Sequence, residues 1–213
     1  MYATSDGSAP NFEGSFGWAS KTDSGIILVR NNGPAPGYRC SSFRAEAYGL
    51  LSYLLFVYHA LWYMKTHISK KTKVFTDSES VLKRLEDMVE WTQYYSSATM
   101  QADWEVLQAI VRLLKQFEFR PELSHVPGHQ DKKKDYKDLV LEAQLNVDAD
   151  KLAGEYKYEN DESPKCVPLI QGTVVALHSD VGTLASRFQR NIRKLSSLPA
   201  IKKYICDKNN WDK

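Results

Sequence analysis

Between Ala47 and Trp62 the apolar side chains Ala47, Leu50, Leu51, Leu54, Tyr58, Leu61 and Trp62 recur at three- and four-residue steps, which is the period of a helix with one broad apolar face. Ser41 or Ser42 supplies a hydroxyl to cap its start, and Glu46 is expected in its first turn. The apolar stretch from Gly49 to Met64 is interrupted by Ser52, three tyrosines and His59, and it falls short of the roughly 20 residues a spanning helix needs. A helix this apolar belongs inside a core, so the chain must supply other elements to cover it.

Those elements are short. Ser15–Ser20 and Gly25–Arg30 have strand character and are joined by Lys21-Thr22-Asp23-Ser24, which predicts a hairpin. Tyr2–Ser5 reads as the end of a further strand that breaks at Asp6-Gly7-Ser8, where the glycine suits a turn. Asn31-Asn32-Gly33-Pro34-Ala35-Pro36-Gly37 reads as a loop. Beyond the long helix, Lys73–Thr76 predicts a strand and Ser78–Glu90 a helix with Val81, Leu82, Leu85 and Val89 inward. A second helix is expected from about Met100 to Phe117, a strand over Phe119–His125, a turn at Val126-Pro127-Gly128-His129, and a closing short helix over Asn146–Glu155. Three strands, helix, strand, helices, strand, helix is the order of an α/β layer with an antiparallel hairpin at one edge.

Glu159-Asn160-Asp161-Glu162-Ser163-Pro164 is acidic, polar and ends in proline, which places a linker over 159–168 between a body of residues 1–158 and an extension of residues 169–213. The extension is expected to hold a strand at Thr173–Leu177 and helical segments near Thr183–Leu195 and Ala200–Lys208. The chain's 28 basic against 26 acidic side chains conceal an asymmetry. Residues 187–213 hold eight bases against two acids, which leaves 20 bases against 24 acids for everything before. A basic tail thus follows a mildly acidic body, and Arg187, Arg190, Arg193 and Lys194 recur at helical intervals that suit either a nucleic-acid contact or the wet side of a packed helix. Cys40, Cys166 and Cys206 are odd in number and far apart, without metal-ligand spacing, so free thiols in a reducing compartment are expected. Nothing after Met1 resembles a secretory signal, and the expected location is intracellular, cytoplasmic or nuclear.

Four carboxylates fall where elements begin or end: Asp6 after the first strand, Glu46 in the long helix, Asp77 after the fourth strand and Asp150 on the last helix. Strand ends of an open α/β sheet are where ligands collect. Carboxylates converging there without basic partners repel one another unless cations sit between them, and all-oxygen ligation selects Mg²⁺ or Mn²⁺. Taken singly each residue has a plainer reading: Asp6 as a turn residue, Glu46 as a favourable acid near a helix start, Asp77 or Ser78 as a cap, His129 as a loop histidine.

In order, Asp6-Gly7-Ser8 before a glycine-bearing hairpin, Phe43-Arg44-Ala45-Glu46-Ala47, Phe75-Thr76-Asp77-Ser78, His125-Val126-Pro127-Gly128-His129 and Asn146-Val147-Asp148-Ala149-Asp150-Lys151-Leu152-Ala153 resemble type 1 ribonuclease H, in the form carried by retroelement polyproteins. The resemblance covers about residues 1 to 158, and five motifs in order are far more specific than one. It implies a ribonuclease H-like fold with a five-stranded mixed sheet in the order 3-2-1-4-5 flanked by helices, followed here by the basic C-terminal extension. It also implies an endoribonuclease that cuts the RNA strand of RNA/DNA hybrids with two Mg²⁺ ions, for which Mn²⁺ substitutes. Asp6, Glu46, Asp77 and Asp150 would be the metal-binding carboxylates, and His129 would assist proton transfer or product departure. Ser8, Ser41 and Ser42 would lie near the hybrid's backbone, and 2′-hydroxyl contacts would separate RNA from DNA. The implied partners are the hybrid and a reverse transcriptase domain of the same polyprotein, with no membrane and a monomeric state.

The chain departs from the family pattern in several places. Only five residues precede Asp6, so the first strand is expected to be short and clipped. The 21-residue interval from His129 to Asp150 is long, and its Asp131–Lys137 segment makes a charged loop whose Lys132, Lys133 and Lys134 are either phosphate contacts or solvated side chains. Trp91–Met100 holds no base where some relatives carry a basic protrusion. Asp148 competes with Asp150 for the fourth ligand role. Two residues apart on a helix they face about 200° apart, and the motif's register favours Asp150. The alternatives are a non-catalytic ribonuclease H-like module that binds nucleic acid or tethers partners, and a transposase-type strand transferase on the same fold.

Overall fold

In a computed structural model, the described residues are 1–37, 39–65, 72–90, 101–156, 177–179, 182–184, 190–194, 196–197, 199 and 202–203. Strands β1 (Tyr2–Ser8), β2 (Gly14–Lys21), β3 (Ile27–Ala35), β4 (Lys73–Thr76) and β5 (Glu122–His125) form one sheet in the order β3-β2-β1-β4-β5. β1 pairs antiparallel with β2 and parallel with β4, β2 pairs antiparallel with β3, and β4 parallel with β5. The order is the one the ribonuclease H resemblance implies.

β1 occupies the centre, and the strand expected to be clipped has seven residues paired along their whole length with β2. It does not break at Asp6-Gly7-Ser8. Gly7 is there for a close approach, not a turn, because a Cβ on it would run into the backbone of Ala45 and Glu46. The Asn31–Gly37 segment, expected as a loop, instead continues β3 as far as Ala35. β3 lies at the sheet edge, where the missing donor of Pro34 costs no ladder bond.

Helix α1 (Ser42–Met64) lies on one face of the sheet. Ser41 caps it, its side chain accepting from the Arg44 N–H at 3.1 Å. Glu46 is its fifth residue and not in its first turn, which holds no acid. Ala47, Leu50, Leu51 and Leu54 are buried as their spacing predicts, whereas Trp62, expected inward, is 75% exposed in the last turn before the left-handed Lys65 that ends the helix. Trp18 of β2 anchors this face, packing edge-on to Tyr53 and donating from its indole nitrogen to Ser52 Oγ at 3.0 Å. Helix α3 (Trp104–Gln116) packs on α1, and α2 (Glu79–Glu90) on α3. In α2 Val81, Leu82 and Leu85 are inward as expected, but Met88 takes the place foreseen for Val89, which is only partly buried.

Helix α4 (Leu141–Glu155) covers the opposite face and begins five residues before the expected start. Its Ala149 and Ala153 are buried against the sheet, where Ser15 Oγ donates to the Ala153 carbonyl at 2.7 Å and Asn32 Nδ2 to that of Leu152 at 2.9 Å. β5 starts at Glu122 and not at Phe119. In the extension, β6 (Leu177–Ser179) and β7 (Gly182–Leu184) make an antiparallel pair, so Thr183 is strand and not the start of a helix, while residues 190–194 are helical. The linker, Trp91–Met100, Cys166, Cys206 and most of the expected tail elements lie outside the described residues. No helix among the described residues is long and apolar enough to cross a membrane.

A buried cation ties the α1 start to its surroundings. Arg44, 1% exposed, donates from Nε to the Pro36 carbonyl at 2.7 Å and from Nη1 to Asp103 Oδ1 at 2.9 Å, and is ion-paired with Glu105. Cys40 lies buried beside this cluster, and burial first of all pushes its thiol up to about 12. Arg44→Ala should destabilise the protein by about 3 to 5 kcal/mol in urea unfolding, because Asp103 is left buried and unpaired. The double variant Arg44→Met/Asp103→Leu should recover most of that loss.

Candidate metal centre at the sheet's C-terminal edge

The parallel pair β1–β4 places Asp6 and Asp77 side by side, each one residue past the last paired position, Ser5 opposite Thr76. The approach of β1 to α1 at Gly7 brings Glu46 to the same point. One carboxylate oxygen each from Asp6, Glu46 and Asp77 lies within 4.8 Å of the others. Asp6 and Glu46 are buried and Asp77 is partly exposed, which makes the cluster the floor of a site open on one side.

Burial before all else, then the charge of Asp77, raises the Asp6 carboxyl to about 7. Glu46 is raised to about 10 by burial, then by Asp6 and Asp77. Asp77 is also shifted upward by burial, although the His129 imidazole and a hydrogen bond from Asn146 work the other way. Asp6 Oδ1 accepts from the Gly7 N–H at 2.6 Å, while Glu46 Oε2 is buried with no hydrogen-bond partner. Crowded acids holding protons at neutral pH and an orphaned buried oxygen fit a hard divalent cation, which takes carboxylate oxygens and replaces the protons.

Asp150 stands outside this trio but near enough for its charge to raise both Asp6 and Asp77. It is exposed, and its Oδ2 lies 3.8 Å from His129 Nδ1. Asp148 faces away and is bound to Lys21 at 2.7 Å, so of the two candidates Asp150 is the one at the site. His129 follows the β5 turn in a left-handed conformation (φ 53°). Gly128 before it lies so close to Asp77 that a Cβ would come within 2.5 Å of Oδ2, so a larger residue there would displace the Asp77 carboxylate.

Asn146 belongs to the site and was not singled out as a site residue from the sequence alone. It is buried and its side chain hydrogen-bonds Asp77. The signal was present: Asn146 and Asp150 are four residues apart and therefore share a helix face. The structure does not bring the other candidates into the cluster. Ser41 is occupied as the α1 cap, Ser42 is exposed beside it, Ser8 is half-buried at the end of β1, and Lys132, Lys133 and Lys134 are exposed in the segment after His129.

No protein-family model matches the chain, and no curated protein matches it in sequence. Among solved structures the chain is similar to LC11-RNase H1, isolated from compost by a metagenomic approach and crystallised in complex with an RNA/DNA hybrid (15% identity, 72% of this chain and 94% of that chain, TM-score 0.49). It is also similar to RNase H1 from the halophilic archaeon Halobacterium salinarum NRC-1 (18%, 73% and 98%, TM-score 0.45) and to the PFV RNase H domain (16%, 72% and 90%, TM-score 0.46).

The raised carboxyls give stability a definite pH dependence. Asp6 titrates near 3.8 unfolded and about 7 folded, and Glu46 near 4.5 and about 10, so between those limits the folded state holds protons the unfolded state has lost. Their contribution is complete below about pH 4 and is lost as pH rises through 7 and beyond. In EDTA the Tm should therefore fall between pH 5 and pH 8, by about 2 to 4 °C per kcal/mol lost, and Mg²⁺ should restore it. Asp6→Asn should be more stable than wild type in EDTA at pH 8, by about 1 to 3 kcal/mol; a flat or rising Tm in EDTA contradicts the crowding.

Proposed function

We propose that the chain is a divalent-metal-dependent endoribonuclease that hydrolyses the RNA strand of RNA/DNA hybrids, working inside the cell as a module of a retroelement alongside a reverse transcriptase. The observation that carries this reading is the meeting of Asp6, Glu46 and Asp77, which are 71 residues apart at their extremes, within 4.8 Å at one end of a 3-2-1-4-5 sheet. The substrate class follows from the five motifs in order, which resemble type 1 ribonuclease H.

Asp6, Glu46, Asp77 and Asp150 would hold two Mg²⁺ ions. Bound there, the ions supply activation of a water and stabilisation of the leaving oxygen in phosphodiester displacement. The chain's own groups set the stage. Asn146 donates to Asp77 and fixes its carboxylate, as outer partners of metal ligands commonly do. Buried Asp6 and Glu46 form a rigid floor, while exposed Asp150 and His129 form the rim, where His129 carries a proton to or from the reacting phosphate or eases product departure. Ser8, Ser41, Ser42 and Lys132–Lys134 would contact the hybrid's backbone. The catalytic unit is residues 1–158, and the basic extension of 169–213 adds grip through its arginines and lysines. A tethering module without chemistry is disfavoured, because all four carboxylates are present.

An end-labelled RNA/DNA hybrid, with duplex DNA, duplex RNA and single-stranded RNA as controls, tests the reading in Mg²⁺, Mn²⁺ and EDTA. Only the hybrid's RNA strand should be cut, and only with metal. Asp77→Asn should lower the rate on the order of a thousandfold or more while leaving the fold intact; wild-type turnover by that variant removes the metal assignment. Deleting residues 169–213 should weaken hybrid binding and flatten its salt dependence with the cleavage step intact, whereas an unchanged salt slope would take the extension out of the binding surface.

A further inference from the structure

Lys21 is the last residue of β2 and, by the period of the strand, shares the α4 side with Ser15. It is a lysine only 4% exposed. Its Nζ donates to Asp148 Oδ2 at 2.7 Å and to the Tyr136 hydroxyl at 2.9 Å, and that hydroxyl lies 3.0 Å from both Asp148 oxygens. The ammonium also sits 5.5 Å from the centre of the Tyr136 ring. Three groups from β2, α4 and the segment between β5 and α4 thus close one polar cluster.

A buried ion pair is a poor stabiliser, since an apolar pair of the same volume commonly does as well. What Lys21 and Asp148 supply that an apolar pair does not is direction: together they accept and donate at one phenol oxygen. Tyr136 is thereby held in place although 41% exposed. Gln144 Nε2 adds bonds to the Tyr136 and Leu139 carbonyls at 3.1 and 3.0 Å, and at the other end Gln130 Nε2 binds the Pro127 carbonyl at 2.9 Å. Between these ties stand exposed Lys132, Lys133 and Lys134, three residues beyond His129, whose ring faces Asp150.

We propose that Tyr136, gripped by Lys21 and Asp148, is a positioning residue that holds the 129–140 segment, four lysines against three aspartates, as a charged arm beside the carboxylates, so that its Lys132–Lys134 run meets backbone phosphates of the bound hybrid. This rests on the ribonuclease reading and names how the site offsets its own negative charge toward a polyanion. Without fixed cations nearby, the acids that suit the metals repel the phosphates.

The test uses the full chain carrying Asp77→Asn, compared with the same chain also carrying Tyr136→Phe, Asp148→Asn or Lys132→Ala/Lys133→Ala/Lys134→Ala. Hybrid Kd is measured between 50 and 200 mM KCl, and amide hydrogen exchange is followed across the chain. The triple alanine variant should reduce the salt slope by about 2 to 3, at roughly 0.9 per phosphate contact. Tyr136→Phe and Asp148→Asn should each speed exchange in 129–140 on the order of tenfold, the worth of about one hydrogen bond, leave exchange elsewhere unchanged, and lower the slope by about 1 or more. Unchanged exchange in 129–140 overturns the grip. Faster exchange with an unchanged slope overturns the arm, because a purely structural tie moves the first readout and not the second. If wild-type chain fails to cleave hybrids, the ribonuclease reading fails and takes the phosphate role with it, while exchange still decides whether Tyr136 holds the segment.

Discussion

Three acids must be held closer together than their charges favour, and much of the backbone is arranged to keep them there. Asp6 is confined by its place in the central strand, paired with Gly17 of β2 and one residue past the last β1–β4 pair. Glu46 reaches it because Gly7 lets α1 lie directly on β1, and Asp77 is boxed in by Gly128 and Asn146. A substituent at either glycine would push apart what the strand order brings together. The Arg44 cluster secures the same helix two residues earlier, tying α1 to the chain at Pro36 and to α3 at Asp103. Local repulsion of this kind persists only where the surroundings over-determine it, and its relief by cations is what makes such a site useful.

The element order and the three acids that cluster were legible in local signals, strand and helix periods and short motifs at element ends, whereas the strand order followed only from the resemblance to ribonuclease H. The sequence was least informative where tertiary context overrode a local preference. Asn31–Ala35 has the composition of a loop, yet at a sheet edge neither Gly33 nor Pro34 interferes with pairing on the β2 side. Asp6-Gly7 has the form of a turn, but the glycine answers to α1 and the strand runs on. The start of α4 was hidden because Val140 offers no capping side chain. Trp62 obeys the helical period yet is exposed, since periodicity tells which face a residue is on and not whether anything covers it. Asn146 escaped notice as a site residue because amides carry no charge to draw attention.

Asp148 and Asp150 illustrate how a helix divides labour between similar groups. About 200° of rotation sends one to the candidate metal centre and the other to a buried lysine. Lys21 neutralises Asp148 at 2.7 Å, so this acid adds structure without adding to the negative field on Asp6 and Asp77. Acids converge at the end of the sheet, the Lys132–Lys134 run is exposed on the segment after His129, and further bases accumulate in the extension.

Cys40 offers a use for a residue that does no chemistry. The thiolate is the form that reacts with electrophiles, and a thiol pushed up to about 12 and shielded from solvent supplies almost none of it. Its backbone N–H donates to the Phe12 carbonyl, joining the loop after β1 to the turn that opens α1. Alkylation at this sulfur is thus an intrinsic clock for the separation of those two segments, counting the openings of the protein at the very junction on which the convergence of its acids depends.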